Sequence, residues 1–214
     1  MLNVKKYVPE LVKNCFRWAR SRLQQAPTKG RVRKLIRANR PIWLDIGAGG
    51  RRGEHGWITL DLSPGCDLCY DLGRGLPFPD NSIERLYSSH TFEHFSPNEL
   101  QILLAESKRV LIRDGLLSVA VPDAKIWIDA YARGEAIDSR KYLNGYQIPC
   151  PYGRLDLVNF IAYMDGCHKY LFDDENLLSV LRTAGFRNVQ LRSFDPMIDV
   201  SVRQHESLYA QCCK

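Results

Sequence analysis

Hydrophobic and polar positions along the chain switch between a short-run pattern and a helical period. Residues 42–46, Ile42-Trp43-Leu44-Asp45-Ile46, form an apolar run stopped by Gly47-Ala48-Gly49-Gly50, the pattern of a buried strand entering a tight turn. Residues 57–61 predict a second strand, ended by Ser63-Pro64-Gly65, and residues 67–71 a third. Leu76-Pro77-Phe78-Pro79-Asp80-Asn81 predicts a turn, and residues 83–88 a fourth strand. From Ser96-Pro97 the period becomes helical. Leu100, Leu103, Leu104, Ser107, Val110 and Leu111 give an inward stripe, closed by Arg113-Asp114-Gly115. Residues 116–121 predict a fifth strand. Asp173 is placed to cap a further helix with Leu177, Leu178, Val180 and Leu181 inside and Ala184-Gly185 at its end. Residues 189–194 and 206–212 predict two last strands. This alternation predicts an α/β domain with a mostly parallel sheet covered on both faces, whose ligands bind at the carboxyl ends of the strands.

Two regions stand apart from the alternation. Residues 1–40 predict a basic helical arm preceding a domain over 41–214. Pro9 and Glu10 suit a first turn, and Val12, Cys15, Phe16, Ala19 and Leu23 recur at helical spacing. Pro27 to Gly30 reads as a break before a second short basic segment around Val32, Leu35 and Ile36. Residues 123–170 predict a cap insert rich in aromatics: Trp127, Tyr131, Tyr142, Tyr146, Tyr152, Phe160, Tyr163 and Tyr170. Extra core packing is the alternative for these aromatics.

Composition narrows the class. At 214 residues, 45% hydrophobic and 25% charged, the chain has a globular balance that excludes general disorder. No apolar run reaches the ~18–20 residues of a bilayer-spanning helix, and no secretory h-region is visible. Seven cysteines, an odd and scattered count, point to reduced thiols and a cytoplasmic location. The net charge of +6 is divided. Residues 1–40 carry twelve Lys/Arg and one acid (net +11), the remainder 18 bases and 23 acids (net −5). The arm's default reading is a helix that packs its apolar stripe and keeps its bases wet. A surface for anionic lipid, at the inner face of a membrane, and a nucleic-acid surface are weighed behind it, in that order.

The glycine turn carries the strongest chemical signal. Gly47 and Gly49 let backbone pass close to a ligand, and Asp61 at the tip of the next strand can accept both hydroxyls of a ribose, which together describe a nucleoside site. A dinucleotide fingerprint needs Gly at 52, where Arg52 stands, and an acid ~20 residues on rather than 12. No phosphate-cradling G-x-x-x-x-G-K-[ST] loop is present.

With these residues in hand, the chain resembles the class I S-adenosylmethionine-dependent methyltransferases, and among them small bacterial enzymes associated with cell-surface glycans and lipid-linked sugars. The resemblance covers about residues 42–122 and 168–213. Leu44-Asp45-Ile46-Gly47-Ala48-Gly49 looks like the glycine motif, and Asp61 sits at the ribose-binding acid. Asp71-Leu72 looks like the adenine segment, and Ser88-Ser89-His90-Thr91-Phe92-Glu93-His94-Phe95 like the loop after the fourth strand. The resemblance implies a Rossmann-like fold with seven strands, the last antiparallel. It also implies S-adenosylmethionine as cofactor and a role for each matched position. Asp45 would hold the cofactor's ammonium, Gly47 and Gly49 would pass under its methionine part, Asp61 would bind ribose, Asp71 and Leu72 would face adenine, and Ser89 would lie near the methyl. One departure stands out: about ten residues separate the first two strands and fewer precede the third. A parallel crossover needs a dozen or more, so the helices there must be vestigial.

An acceptor alcohol needs a base near the methyl, and His90 and His168 are the candidates, against the plain reading of structural histidines. His90-Thr91-Phe92-Glu93-His94 fits H-x-x-E-H, but across a strand end rather than within the helix a zinc peptidase requires. Metal-assisted transfer, with His168 as a distal ligand, is a variant of the same reading; no metal is assigned. Cys66 and Cys69 form a lone C-x-x-C without a second pair for zinc. The expected function is methyl transfer to a hydroxyl of a small molecule or glycan. Two readings stand beside it: an RNA methyltransferase using the arm, and a non-catalytic cofactor-binding partner.

Overall fold

The computed structural model describes residues 27–63, 65–143, 148 and 152–214. The helix expected from Pro9, and Tyr146 of the cap, lie outside them. Seven strands form one sheet: β1 (Trp43–Ile46), β2 (Trp57–Asp61), β3 (Leu68–Cys69), β4 (Ile83–Ser89), β5 (Leu111–Pro122), β6 (Arg187–Leu191) and β7 (Ser207–Cys213). Their order is β3-β2-β1-β4-β5-β7-β6. Pairing is parallel from β3 to β5, and β7 runs antiparallel to both its neighbours. The order reverses at β1 and β4, so ligands of a parallel sheet are expected at their carboxyl ends.

Residues 27–37 are helical (α1), followed by α2 (Pro97–Val110), α3 (Ala124–Arg133), α4 (Ser139–Tyr142), α5 (Leu155–Tyr163) and α6 (Asp174–Thr183). At α2 the Ser96 amide donates to the Glu99 carboxylate at 2.8 Å with Pro97 behind it, the start the sequence signals. Asp173 caps α6 by accepting from the Asn176 amide at 2.8 Å. The expected break at Pro27–Gly30 is instead helical. Thr28 and Val32 are buried, so tertiary packing overrides the low helix propensity of glycine there. Thr28 Oγ1 donates to the Cys69 carbonyl (2.8 Å), and the Arg31 guanidinium to the Asp67 carbonyl (2.6 Å). Leu111, expected on the α2 stripe, leaves the helix with ψ 140° and begins β5, opposite Ile83. β6 begins two residues earlier than expected, and β3 shortens to two residues.

The sheet has two unlike faces. Leu44, Ile46, Leu60, Leu86, Leu117, Val119 and Val121 point into one apolar core with residues of α1, α2 and α6. Asp45, Thr59, Tyr87 and Ser118 alternate with them onto the other face. The expectation of helices on both faces is not met: among the described residues no helix connects β1 to β2 or β2 to β3. The connections are too short for one, and side chains hold them instead. Asp67 accepts from the amides of Gly53 (2.9 Å) and Thr59 (3.0 Å). Burial works against its charge, yet these amides and the Thr59 hydroxyl hold its carboxyl below the ordinary value.

The segment between β6 and β7 closes over the polar face through a buried ion pair. Arg192 donates to both carboxylate oxygens of Asp199 (2.5 and 2.7 Å), Asp199 accepts also from Tyr87 Oη (3.0 Å), and Arg192 reaches Ser118 Oγ at 2.8 Å. The Asp199 side chain is fully buried, so truncation leaves the guanidinium uncompensated. Asp199→Ala is expected to destabilise the fold by about 3–5 kcal/mol, read as a lower urea midpoint in equilibrium unfolding.

Candidate active site

The glycine turn joins three strand tips. The Gly47 amide donates to the Leu60 carbonyl at 2.8 Å, and the Gly49 amide to Asp61 Oδ2 at 3.1 Å. Gly47 has φ +74° and faces Thr91, whose side chain occupies the space a Cβ would need. Gly49 has φ +63°, but nothing lies within 4 Å of its Cβ position, so its face is bare backbone beside open space. Asp61 Oδ1 accepts from the Ser63 amide at 2.7 Å, which fixes the carboxylate and leaves lone pairs on both oxygens. The Tyr70 amide donates to the Asp61 carbonyl, so Asp71 and Leu72 follow directly beyond the β2–β3 edge. The Asp71 side chain is spent locally, capping the 3₁₀ turn Leu72–Arg74 through the Gly73 amide at 3.0 Å.

Asp45 stands under the turn. One oxygen meets Arg51 at 3.2 Å; the other, Oδ1, is buried with no hydrogen-bond partner among the described residues. Burial raises its pKa to about 7 and outweighs the half-exposed Arg51 guanidinium. Asp45 also lines a cavity of about 460 Å³ with Arg51, Trp57, Thr59, Tyr87 and Asp199, on the polar face where a first crossover helix would otherwise pack. Gly47, Gly49 and Asp61 are not among that cavity's lining residues.

The end of β4 carries the second half of the site. Ser89 is buried, and its carbonyl and hydroxyl accept from Arg203 at 3.1 and 3.3 Å. His90 sits at φ +50°, its amide on the Ala120 carbonyl and its Nε2 2.7 Å from Ser207 Oγ. Burial, then the Arg203 charge, pushes its pKa down to about 2, so the ring is neutral. His168 is buried, with Nδ1 2.7 Å from the Ile161 carbonyl. Burial lowers its pKa as well. The two histidines do not bond to each other; Glu93 and His94 lie between them, Glu93 Oε1 being 3.9 Å from His90 Nδ1 and 4.0 Å from His94 Nε2. Burial raises the Glu93 pKa to about 8.

The cap insert folds into α3, α4 and α5. Trp127 is buried 6.0 Å from the Phe160 ring, and its Nε1–H has no partner among the described residues. His90, Trp127, Phe160, Ile161, Met164 and Glu206 line a slot of about 50 Å³. Arg203 and the Arg192–Asp199 pair escaped sequence reasoning, because isolated charges in a late loop carry no periodic signal. Only the fold brings Arg203 to Ser89.

A family profile for the methyltransferase domain matches residues 61–119. A solved S-adenosylmethionine-dependent methyltransferase from Archaeoglobus fulgidus is similar over 88% of this chain and 94% of its own, at 19% identity and a TM-score of 0.51. One from Thermotoga maritima covers 96% and 97% at 16% identity, with a TM-score of 0.48. No curated protein sequence matches the chain. The strand order and the first of these likenesses define the Rossmann-like class I methyltransferase fold. The methyltransferase-domain match covers the stretch from the β2 tip into β5, within that fold. The residues present fit S-adenosylmethionine: an orphaned buried carboxylate oxygen at Asp45, an open bare backbone at Gly49 and a fixed acid at Asp61.

The Asp45 carboxyl makes the fold pH-sensitive. Unfolded, it ionises near 3.8; folded, it keeps its proton to about 7. Stability from this group therefore falls as pH rises through that window, at roughly 1.4 kcal/mol per pH unit at most. Asp45→Asn is expected to flatten the decline, so that urea unfolding at pH 5 and pH 8 differs less in the variant than in the wild type.

Proposed function

We propose that the chain moves the methyl of S-adenosylmethionine to a hydroxyl oxygen of a small molecule or glycan. The bound cofactor supplies a methyl on a sulfonium, a good leaving group opened by in-line attack. In this reading the Asp45 carboxylate takes the ammonium, Gly47 and Gly49 lie under the methionine portion, Asp61 accepts from the ribose hydroxyls, and Asp71 with Leu72 borders adenine. Ser89, held by Arg203, places the end of β4 beside the reacting carbon. Alignment supplies the larger share of the rate.

The observation that supports the acceptor class is the slot beside His90, walled by Trp127 and Phe160. A carbon skeleton suits that aromatic wall, and the neighbouring His90 and Glu206 offer polar atoms to a hydroxyl. Its size fits one functional group rather than a whole ring. His90, neutral and weakly basic, accepts the hydrogen bond of the incoming hydroxyl and orients it; full proton removal by so weak a base contributes little. His168, tied to Ile161, acts behind it as a positioning residue. Two domains are proposed with boundaries at residue 40 and a cap over 123–170. Lys29, Arg33 and Arg37 stay exposed along a groove of about 350 Å³ beside Pro77 and Pro79, which supports contact with an anionic membrane surface at its inner, cytoplasmic face. Among the described residues no helix is long and apolar enough to cross a membrane.

Asp61→Ala is expected to weaken cofactor binding by roughly 2–3 kcal/mol, a rise in Kd of about 30- to 150-fold by calorimetry. Unchanged affinity would overturn the ribose assignment. His90→Ala is expected to leave that affinity intact and, through lost alignment of the hydroxyl, lower turnover by about 10²-fold, read as the methyl gained by a glycan or phenol acceptor in mass spectrometry.

A further inference from the structure

The β4 loop and the end of the cap bring together three side chains with metal-ligating atoms. One donor atom each from Glu93, His94 and His168 lies within 4.8 Å of the other two. The loop's own hydrogen bonds assemble them: the amides of Lys169 and Tyr170 both donate to the Glu93 carbonyl, at 2.8 and 3.2 Å, which docks the segment carrying His168 against Glu93. The two imidazole rings meet edge to face with centroids 5.2 Å apart.

Their tautomers are fixed by what they touch. His94 Nδ1 is 2.8 Å from the Cys167 carbonyl, and His168 Nδ1 is 2.7 Å from the Ile161 carbonyl. A carbonyl only accepts, so each Nδ1 carries the proton and each Nε2 presents a lone pair. Backbone carbonyls holding the far nitrogen are the usual support of metal-bound histidine. The third ligand adds an independent observation. Glu93 is 2% exposed, and its Oε2 is buried without a hydrogen-bond partner among the described residues. A polar oxygen buried this far and left unpaired is costly, and a metal cation is a partner that would satisfy it.

We propose that Glu93, His94 and His168 form a binding site for a first-row divalent transition metal, zinc by preference, with a fourth position open to an oxygen ligand. Two neutral imidazoles favour such a metal over magnesium or calcium, which take oxygen ligands. Two histidines and one glutamate match a zinc site that keeps an open position. At ligand distances of ~2.0–2.1 Å, tetrahedral donor atoms sit about 3.3 Å apart, so the three must draw in by about 1.5 Å at most. The half-exposed His94 has the freedom to do so. His90 stands outside the set, its Nε2 on Ser207 and its Nδ1 3.9 Å from Glu93 Oε1, between the metal position and the aromatic slot. That the open position receives the acceptor's oxygen rests on the function proposed above; metal binding does not.

The test is calorimetric titration of the chelator-stripped full chain with Zn2+, beside titration with S-adenosylmethionine. The expected result is one equivalent of zinc at submicromolar Kd. Glu93→Gln and His94→Ala should each weaken zinc binding at least tenfold, while His55→Ala, on the exposed loop before β2, leaves it unchanged. Both ligand variants should keep the wild-type affinity for S-adenosylmethionine, which reports the fold and the cofactor site separately. Less than a tenth of an equivalent bound by the wild type, or less than a tenfold loss in both ligand variants, overturns the proposal and leaves the methyl-transfer reading standing. Loss of cofactor binding with zinc binding intact would do the reverse.

Discussion

The tight turn after β1 is the constraint on which the site depends. Two amides do the joining: Gly47 to the β2 backbone and Gly49 to the Asp61 side chain. Thr91, just beyond β4, fills the space against Gly47 that any side chain would need. The tips of β1, β2 and β4 are therefore tied at one point, and that point coincides with the switch in strand order. A looser turn would separate the Asp61 carboxylate from the bare backbone at Gly49.

Much of this was legible in the sequence because it is local. The β1 and β2 runs, the Ser96-Pro97 helix start and the Asp173 cap are written in adjacent residues, and the structure has them within a residue or so. The crossover lengths also told correctly that helices could not fit between the first three strands. What failed depended on distant partners. Pro27 to Gly30 looked like punctuation, yet burial of Thr28 and Val32 keeps that stretch helical. Leu111 fits a helical stripe and a strand equally well, and pairing with Ile83 decides it.

The site divides in the same way. Gly49 meets Asp61 because consecutive strand tips are neighbours in a parallel sheet, while Asp45 lines a cavity on the polar face that Gly47, Gly49 and Asp61 do not line. The histidines needed the fold: His90 and His168 are 78 positions apart in the chain, and the amides of Lys169 and Tyr170 on Glu93 bring them near. Arg203 had no signal at all, although its charge reaches Asp45, His90 and Glu93 together. Position in the sequence says little about a cation whose role is set by the loop that delivers it.

The contact of α1 with β3 has a consequence for solubility. An outer strand normally offers a row of free carbonyls that a second molecule can zip onto. Here that border is two residues long, and the carbonyls of Asp67 and Cys69 are already taken by Arg31 and Thr28. The helix thus works as a selvedge on the sheet, closing the margin where fibrillar stacking would otherwise begin.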